Sequence, residues 1–202
     1  MTERWIPKLG SCILRRVSQS QPHNSDYAAL VAASVALADS YAMGKDDPWE
    51  TSPFGWILRL PSRTKGAIGE KLVTTWAEGE GFSVHRSTNS DADRIINAHR
   101  IEIKMSTLWE TGLFRFQQIR DQDYDYCLCL GLMPQDARAW LLPKALLRDH
   151  VIGHTGQHGG SGASETAWIG FPANQPHEWM DGYGGTLHDV AEAIRSLGKG
   201  PY

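Results

Sequence analysis

The chain has 202 residues, 41% of them hydrophobic and 21% charged, which is enough for one domain with a sizeable core and too apolar for a wholly disordered chain. Its formal net charge of −3 argues against a protein that binds nucleic acid through bulk positive charge. The charge is uneven, with 15 Lys and Arg against 13 acids in residues 1–120 and 5 against 10 beyond, and gripping phosphates needs only a local basic surface.

No basic start precedes a long apolar run, and the longest mainly apolar run, Ala28 to Ala38, falls far short of the roughly 20 residues of a membrane span. Cys12 stands alone, and the C-x-C of Cys127 and Cys129 has no second pair to complete a zinc site. Reduced thiols, a cytoplasmic setting and no membrane partner are therefore expected.

The first twenty or so residues mix Gly, Ser and Gln with scattered apolar positions and read as an arm. Asn24-Ser25-Asp26 is a cap signal for a helix over about Tyr27 to Ala42, with Leu30, Val31, Val35 and Leu37 supplying buried surface. A short helix or turn follows around Phe54 to Leu60. Lys65 to Trp76 spaces Ile68, Leu72, Val73 and Trp76 as one helical stripe, ended by Gly81. Phe82 to His85 reads as a strand, and Arg94 to Ile96 with Arg100 to Met105 as a hairpin. Phe114 to Arg120 is a mixed segment.

Tyr124 to Leu132 is the most strand-like run, followed by a strand at Arg138 to Leu142 and a helix opened by Pro143. Residues 150–164 are rich in Gly and His and read as loop. Ala167 to Phe171 reads as a further strand or an edge, and residues 187–197 as a last helix. The order gives an α/β (α+β) domain, a mixed β-sheet flanked by helices. A single domain over 1–202 is expected, with a helical extension at 1–60, a core at 62–148 and a C-terminal part at 149–202.

One strand in this series carries charge on a single face. In R-I-E-I-K-M, Ile101 and Ile103 point one way and Glu102 and Lys104 the other. Pairing with Arg94 to Ile96 brings Asp93 to the charged face. Two carboxylates at a strand edge are costly unless positive charge offsets them. Lys104 supplies one charge, and a hard divalent cation such as Mg²⁺ would supply more. A solvated hairpin with a surface salt bridge is the alternative.

Asp93 followed by Glu102-Ile103-Lys104 resembles the catalytic signature of the PD-(D/E)xK nuclease superfamily, and most resembles type II restriction endonucleases. The similarity covers roughly residues 65–145. Glu70, in I-G-E-K-L-V, matches the family's helical glutamate before the hairpin, and the polar segment from Phe114 to Arg120 matches its DNA-facing segment. Ala92 stands where the family has proline, so Asp91 remains the alternative to Asp93.

The resemblance implies a restriction-endonuclease-like core and hydrolysis of phosphodiester bonds in double-stranded DNA. Mg²⁺, with Mn²⁺ able to substitute, would be held by Asp93, Glu102 and the Ile103 backbone carbonyl, with Lys104 orienting water and Glu70 assisting. It also implies a homodimer and a cognate DNA methyltransferase encoded nearby. A repair or junction nuclease or nickase of the same fold, and a non-catalytic DNA-binding protein, are the competing readings.

Arg63, Lys65, Ser106, Gln117, Gln118 and Arg120 are candidate DNA contacts; Gln117, Gln118 and Arg120 could instead form a polar helix face, and basic residues such as Arg63 and Lys65 are common near any surface helix. His150, His154 and His158 recur every four residues, but Gly153, Gly156, Gly159 and Gly160 argue against the helix a zinc site would need. His154 and His158 are instead expected to touch DNA from a loop, or to become ordered at a dimer interface.

Overall fold

Large and small side chains alternate in Y-C-L-C-L-G-L, Tyr126 to Leu132, and this alternation builds the centre of the sheet. The structure, a computed structural model, describes residues 30–35, 37, 47–88, 90–154 and 166–197. The chain forms two compact units, residues 1–46 and 47–202. In the first, residues 30–35 and 37 are helical. Leu30, Val31, Val35 and Leu37 are exposed there rather than buried. A helical period marks apolar positions without saying what packs on them.

The second unit begins with α1 (Gly55–Leu58) and α2 (Ser62–Gly79). Residues 47–60, read from the sequence as part of the extension, belong here: Ile57 is fully buried, and Trp49 and Phe54 pack on the same core. The strands are β1 (Val84–Arg86), β2 (Arg94–Ile96), β3 (His99–Thr107), β4 (Leu113–Ile119), β5 (Tyr126–Leu132), β6 (Ala137–Pro143) and β7 (Ala167–Pro172). Helix α3 (Lys144–His150) follows β6, and α4 (Leu187–Leu197) ends the described chain.

The main sheet runs β1-β2-β3-β5-β6, antiparallel except for the parallel pair β3 and β5; β4 and β7 form a separate two-stranded sheet. This is a mixed sheet with helices against it, the α/β (α+β) class expected. The segment Phe114 to Arg120 is strand for most of its length, not a helix face.

Each face of the main sheet has its own core. Ile101, Ile103, Leu128, Leu130, Leu132 and Leu141 pack against Val73 and Ala77 of α2 and Val190, Ala191 and Ile194 of α4. Burying each such large aliphatic side chain contributes about 1.5–3 kcal/mol. The other face is aromatic, with Phe114, Phe116, Trp140 and Phe171 in mutual contact at 5.1–6.2 Å between ring centroids. Gly131 makes room there, since a Cβ on it would stand 2.7 Å from Phe114 Cζ. Among the described residues no helix is long and apolar enough to cross a membrane.

The parallel pairing of β3 with β5 is pinned at its start. Arg100 N donates to Asp125 Oδ2 at 2.8 Å and Asp125 N to Arg100 O at 2.9 Å. The Arg100 guanidinium adds an ion pair to Asp125 Oδ1 at 2.8 Å. These bonds hold the Asp125 carboxyl below its usual range.

Candidate active site

The two-residue turn Asn97-Ala98 joins β2 to β3 with φ of 47° and 68°, the all-positive geometry of a type I′ hairpin. Asparagine tolerates this conformation, whereas alanine is strained in it. The turn fixes the register Arg94↔Ile101, Ile95↔Arg100 and Ile96↔His99, and one further step sets Asp93 beside Glu102. Asp93 N donates to Ile101 O at 3.1 Å, and Ile103 N donates to Asp93 Oδ2 at 2.7 Å. The Asp93 carboxylate thus takes the place of a ladder partner where β2 has ended. Because N–H and C=O of one strand residue project to the same side, the Ile103 carbonyl also faces Asp93 rather than β5.

Glu102 and Lys104 stand across from Cys127 and Cys129 of β5. Their ion pair, Lys104 Nζ to Glu102 Oε1, measures 2.6 Å, with the two side chains only 18% and 10% exposed. Burial raises the Glu102 carboxyl above its ordinary value; Lys104 opposes the rise, while Asp93 and Glu70 add to it. Burial pulls the Lys104 ammonium down, but the charge and hydrogen bond of Glu102 outweigh it, and its value stands above the ordinary one. Lys104 is therefore a cationic hydrogen-bond donor at neutral pH, not a base.

Helix α2 delivers Glu70. Gly69 lets the helix approach β3, because a Cβ there would lie 2.6 Å from Met105 Cβ. Glu70 Oε2 then lies 3.4 Å from Arg94 Nη1. The same Arg94 donates to Asp93 O at 2.7 Å and to Thr74 Oγ1 at 2.9 Å. Partial burial, then the Asp93 charge, raises the Glu70 carboxyl. Glu70, Asp93 and Arg94 line a cleft of about 640 Å³ together with Arg86, Ser87, Thr88 and Ser90. Asp91 is not among the residues lining it.

Among the described residues, no group of three or more His, Cys, Asp or Glu side chains could hold a metal. The fit to a divalent cation is of another kind. Asp93 and Glu102 each commit one oxygen, to Ile103 N–H and to Lys104, and would offer the second. The Ile103 carbonyl adds a third hard donor. Mg²⁺ is commonly bound by one or two carboxylates and several waters, and burial, with a smaller part from the Asp93 charge, already raises Glu70 and Glu102.

The remaining candidates scatter. Ser106 is buried, its Oγ accepting from Arg115 N at 2.8 Å and donating to Thr107 O at 3.0 Å, so it supports β4 rather than facing a ligand. Gln117 and Gln118 are exposed at a register shift between Phe116 and Ile119, with Gln118 at φ 59°; such bulges re-aim side chains. Arg63 and Arg120 are exposed and Lys65 is half-buried. His154 is exposed in a turn after α3, and His158 lies outside the described residues. His150 closes α3 and stacks on Trp179 at 5.0 Å, which is a packing role.

Three features escaped the sequence reading. Arg94 couples Glu70 to Asp93, and only its adjacency to the aspartate could have signalled it. Arg86 needs the β1–β2 register to be seen. The Arg115 guanidinium lies 4.8 Å from the Trp109 ring and 5.0 Å from the Trp168 ring, a clamp whose parts are too distant in sequence to link.

No family model matches the chain, and no curated protein matches it. Among solved structures it is similar to a bacterial homing endonuclease, I-Ssp6803I, at 13% identity and a TM-score of 0.44, over 70% of this chain and 99% of that one.

Proposed function

We propose that the chain is a metal-dependent endonuclease that hydrolyses phosphodiester bonds of double-stranded DNA. The observation that carries this reading is the nearly buried Glu102–Lys104 pair beside Asp93, on a sheet face otherwise packed with aromatic and small residues. A buried ion pair is a poor stability device, since well-packed apolar residues serve as well or better. A site that must hold a cation and donate to a phosphate oxygen or a water needs this pair.

Asp93, Glu102 and the Ile103 carbonyl are the residues that would hold Mg²⁺ or Mn²⁺. The bound ion would polarise the phosphodiester and make a water nucleophilic. Lys104, kept protonated by Glu102, orients that water or stabilises the charge developing on the phosphate. Glu70, with its raised carboxyl, accepts a hydrogen bond from water in the cleft. Arg94 holds Glu70 and the Asp93 backbone together.

Incubation with mixed duplex DNA and Mg²⁺ tests the reading: wild type cleaves, and Glu102→Ala and Lys104→Ala each lose at least about a hundredfold in rate. Cleavage that survives both changes removes this site from the chemistry.

Within the class, type II restriction is the reading favoured. One site per chain and two strands to cut call for a two-fold homodimer on a palindrome, with a partner methyltransferase protecting the host. Sedimentation with and without DNA checks the dimer; a monomer in both conditions supports a nickase, repair or junction enzyme instead.

A further inference from the structure

The cleft beside Asp93 has a second part that this chemistry leaves unused. In the β1–β2 register Arg86 stands directly across from Arg94, and like charges in that relation are destabilising. Arg94 is neutralised by Glu70 and bonded to Thr74 and to the Asp93 carbonyl. Arg86 is exposed on β1, the edge strand of the sheet, and among the described residues it makes no ion pair or hydrogen bond. It lines the same cleft as Glu70 and Asp93, where its charge also acts on the Glu70 carboxyl, and Thr88 and Ser90, two hydroxyl-bearing residues, line that cleft as well.

An exposed guanidinium held by no hydrogen bond among the described residues, in an open cleft lined by hydroxyl-bearing residues, is chemistry for an anion with several acceptor oxygens. A small free anion would gain little beside two carboxylates. A phosphodiester chain differs, because it presents a second phosphate once the first is engaged. Neighbouring strands lie about 4.8 Å apart, so the long Arg86 side chain starts one strand away from the residue that follows Asp93.

We propose that Arg86, with Thr88 and Ser90, forms a phosphate subsite that grips the DNA backbone next to the phosphate presented to Asp93 and Glu102. The inference rests on the nuclease reading and extends it. Arg86 sets the register of the substrate strand and offsets its repulsion by the site's carboxylates, without touching the reacting atoms.

The test is fluorescence anisotropy with a short random-sequence duplex, Ca²⁺ replacing Mg²⁺, over a range of salt concentrations. Arg86→Met is expected to weaken binding about tenfold, equally across sequences, and to lower the slope of log affinity against log salt by about one. Arg86→Lys keeps that slope but loses part of the affinity, because it keeps the charge without the planar fork. Unchanged affinity and slope in Arg86→Met, with native near-ultraviolet circular dichroism, overturns the subsite. A Glu102→Gln control separates the two readings: it binds but does not cut if the nuclease reading holds. If wild type never cuts, yet Arg86→Met still loses affinity and slope, the nuclease reading fails and the subsite stands as a backbone contact. Wild type that binds no DNA overturns both.

Discussion

On the helix-covered face of the main sheet, β3 and β5 contribute Ile101, Ile103, Leu128, Leu130 and Leu132. On the opposite face the same two strands contribute Glu102, Lys104 and Ser106 beside Cys127, Cys129 and Gly131. Both faces belong to the same pair of strands, so secondary structure cannot account for the difference. The first face is what a fold needs. The second places a charged column next to a column of small residues, and the space above it is filled by rings from β4, β6 and β7. Side-chain volume is thereby traded across the sheet so that an ion pair can sit at the edge of a dense aromatic core.

If that contrast is right, stability and activity separate at the charged face. Replacing Glu102 with Ala should destabilise the protein by about 3–5 kcal/mol, because a buried Lys104 loses its partner. Replacing both with apolar residues of similar length, Glu102→Met with Lys104→Leu, should recover most of that loss while cleavage stays absent. Urea denaturation of the three proteins measures it. A double variant no more stable than the single one would mean that the pair itself stabilises the fold.

The small column can be broken separately. Gly131→Ala puts a Cβ 2.7 Å from Phe114 Cζ and should cost about 1–3 kcal/mol by overpacking. Its neighbour on the helix-covered face, Leu130, should accept Met for less than about 1.5 kcal/mol. Equal costs would erase the distinction drawn between the faces.

The Arg100–Asp125 anchor, which sets how β3 and β5 align and hence which residues share a face, should respond to acid. Asp125 titrates below its ordinary value of 3.8 in the folded state. Its contribution is therefore complete above the unfolded value and is lost as pH falls through the depressed folded one. Wild type should lose stability relative to Asp125→Asn as pH drops below about 4, and the gap should be steady above pH 5. Denaturation midpoints at pH 2.5 to 6 give the comparison; a gap independent of pH would exclude the ionic part of the anchor.

Much of this was legible in residues close together in the sequence. The β2–β3 hairpin, the helix over Lys65 to Trp76 and the alternation in Tyr126 to Leu132 each follow from local periodicity. The arrival of Asp93 on the charged face follows from a short turn, whereas its place beside Glu102 rather than Lys104 needed the observed register. The exposure of Leu30 and Val35 was not legible, because periodicity does not specify a partner surface. Nor was the strand at Leu113–Ile119, whose F-R-F alternation is cut by the bulge at Gln117 and Gln118. Arg86 and the Trp109–Arg115–Trp168 clamp depend on register and on pairing of β4 with β7, which are tertiary facts.

The hairpin turn offers the smallest effect and the finest check on register. Shifting β2 against β3 by one residue would carry Asp93 to the aliphatic face and away from Glu102, so the turn that prevents the slip matters to the site. Ala98 holds φ 68°, a left-handed conformation that costs a residue with a Cβ about 1–2 kcal/mol. Glycine relieves that strain but gives the unfolded chain more freedom, a loss of about 0.5–1 kcal/mol. Ala98→Gly should therefore stabilise the protein by about 0.5–1 kcal/mol, raising Tm by about 1–4 °C for a chain of this size. Thermal denaturation followed by circular dichroism measures it. A lower Tm would mean that Ala98 is not held in the left-handed turn, and the register that brings Asp93 to Glu102 would lose its local cause.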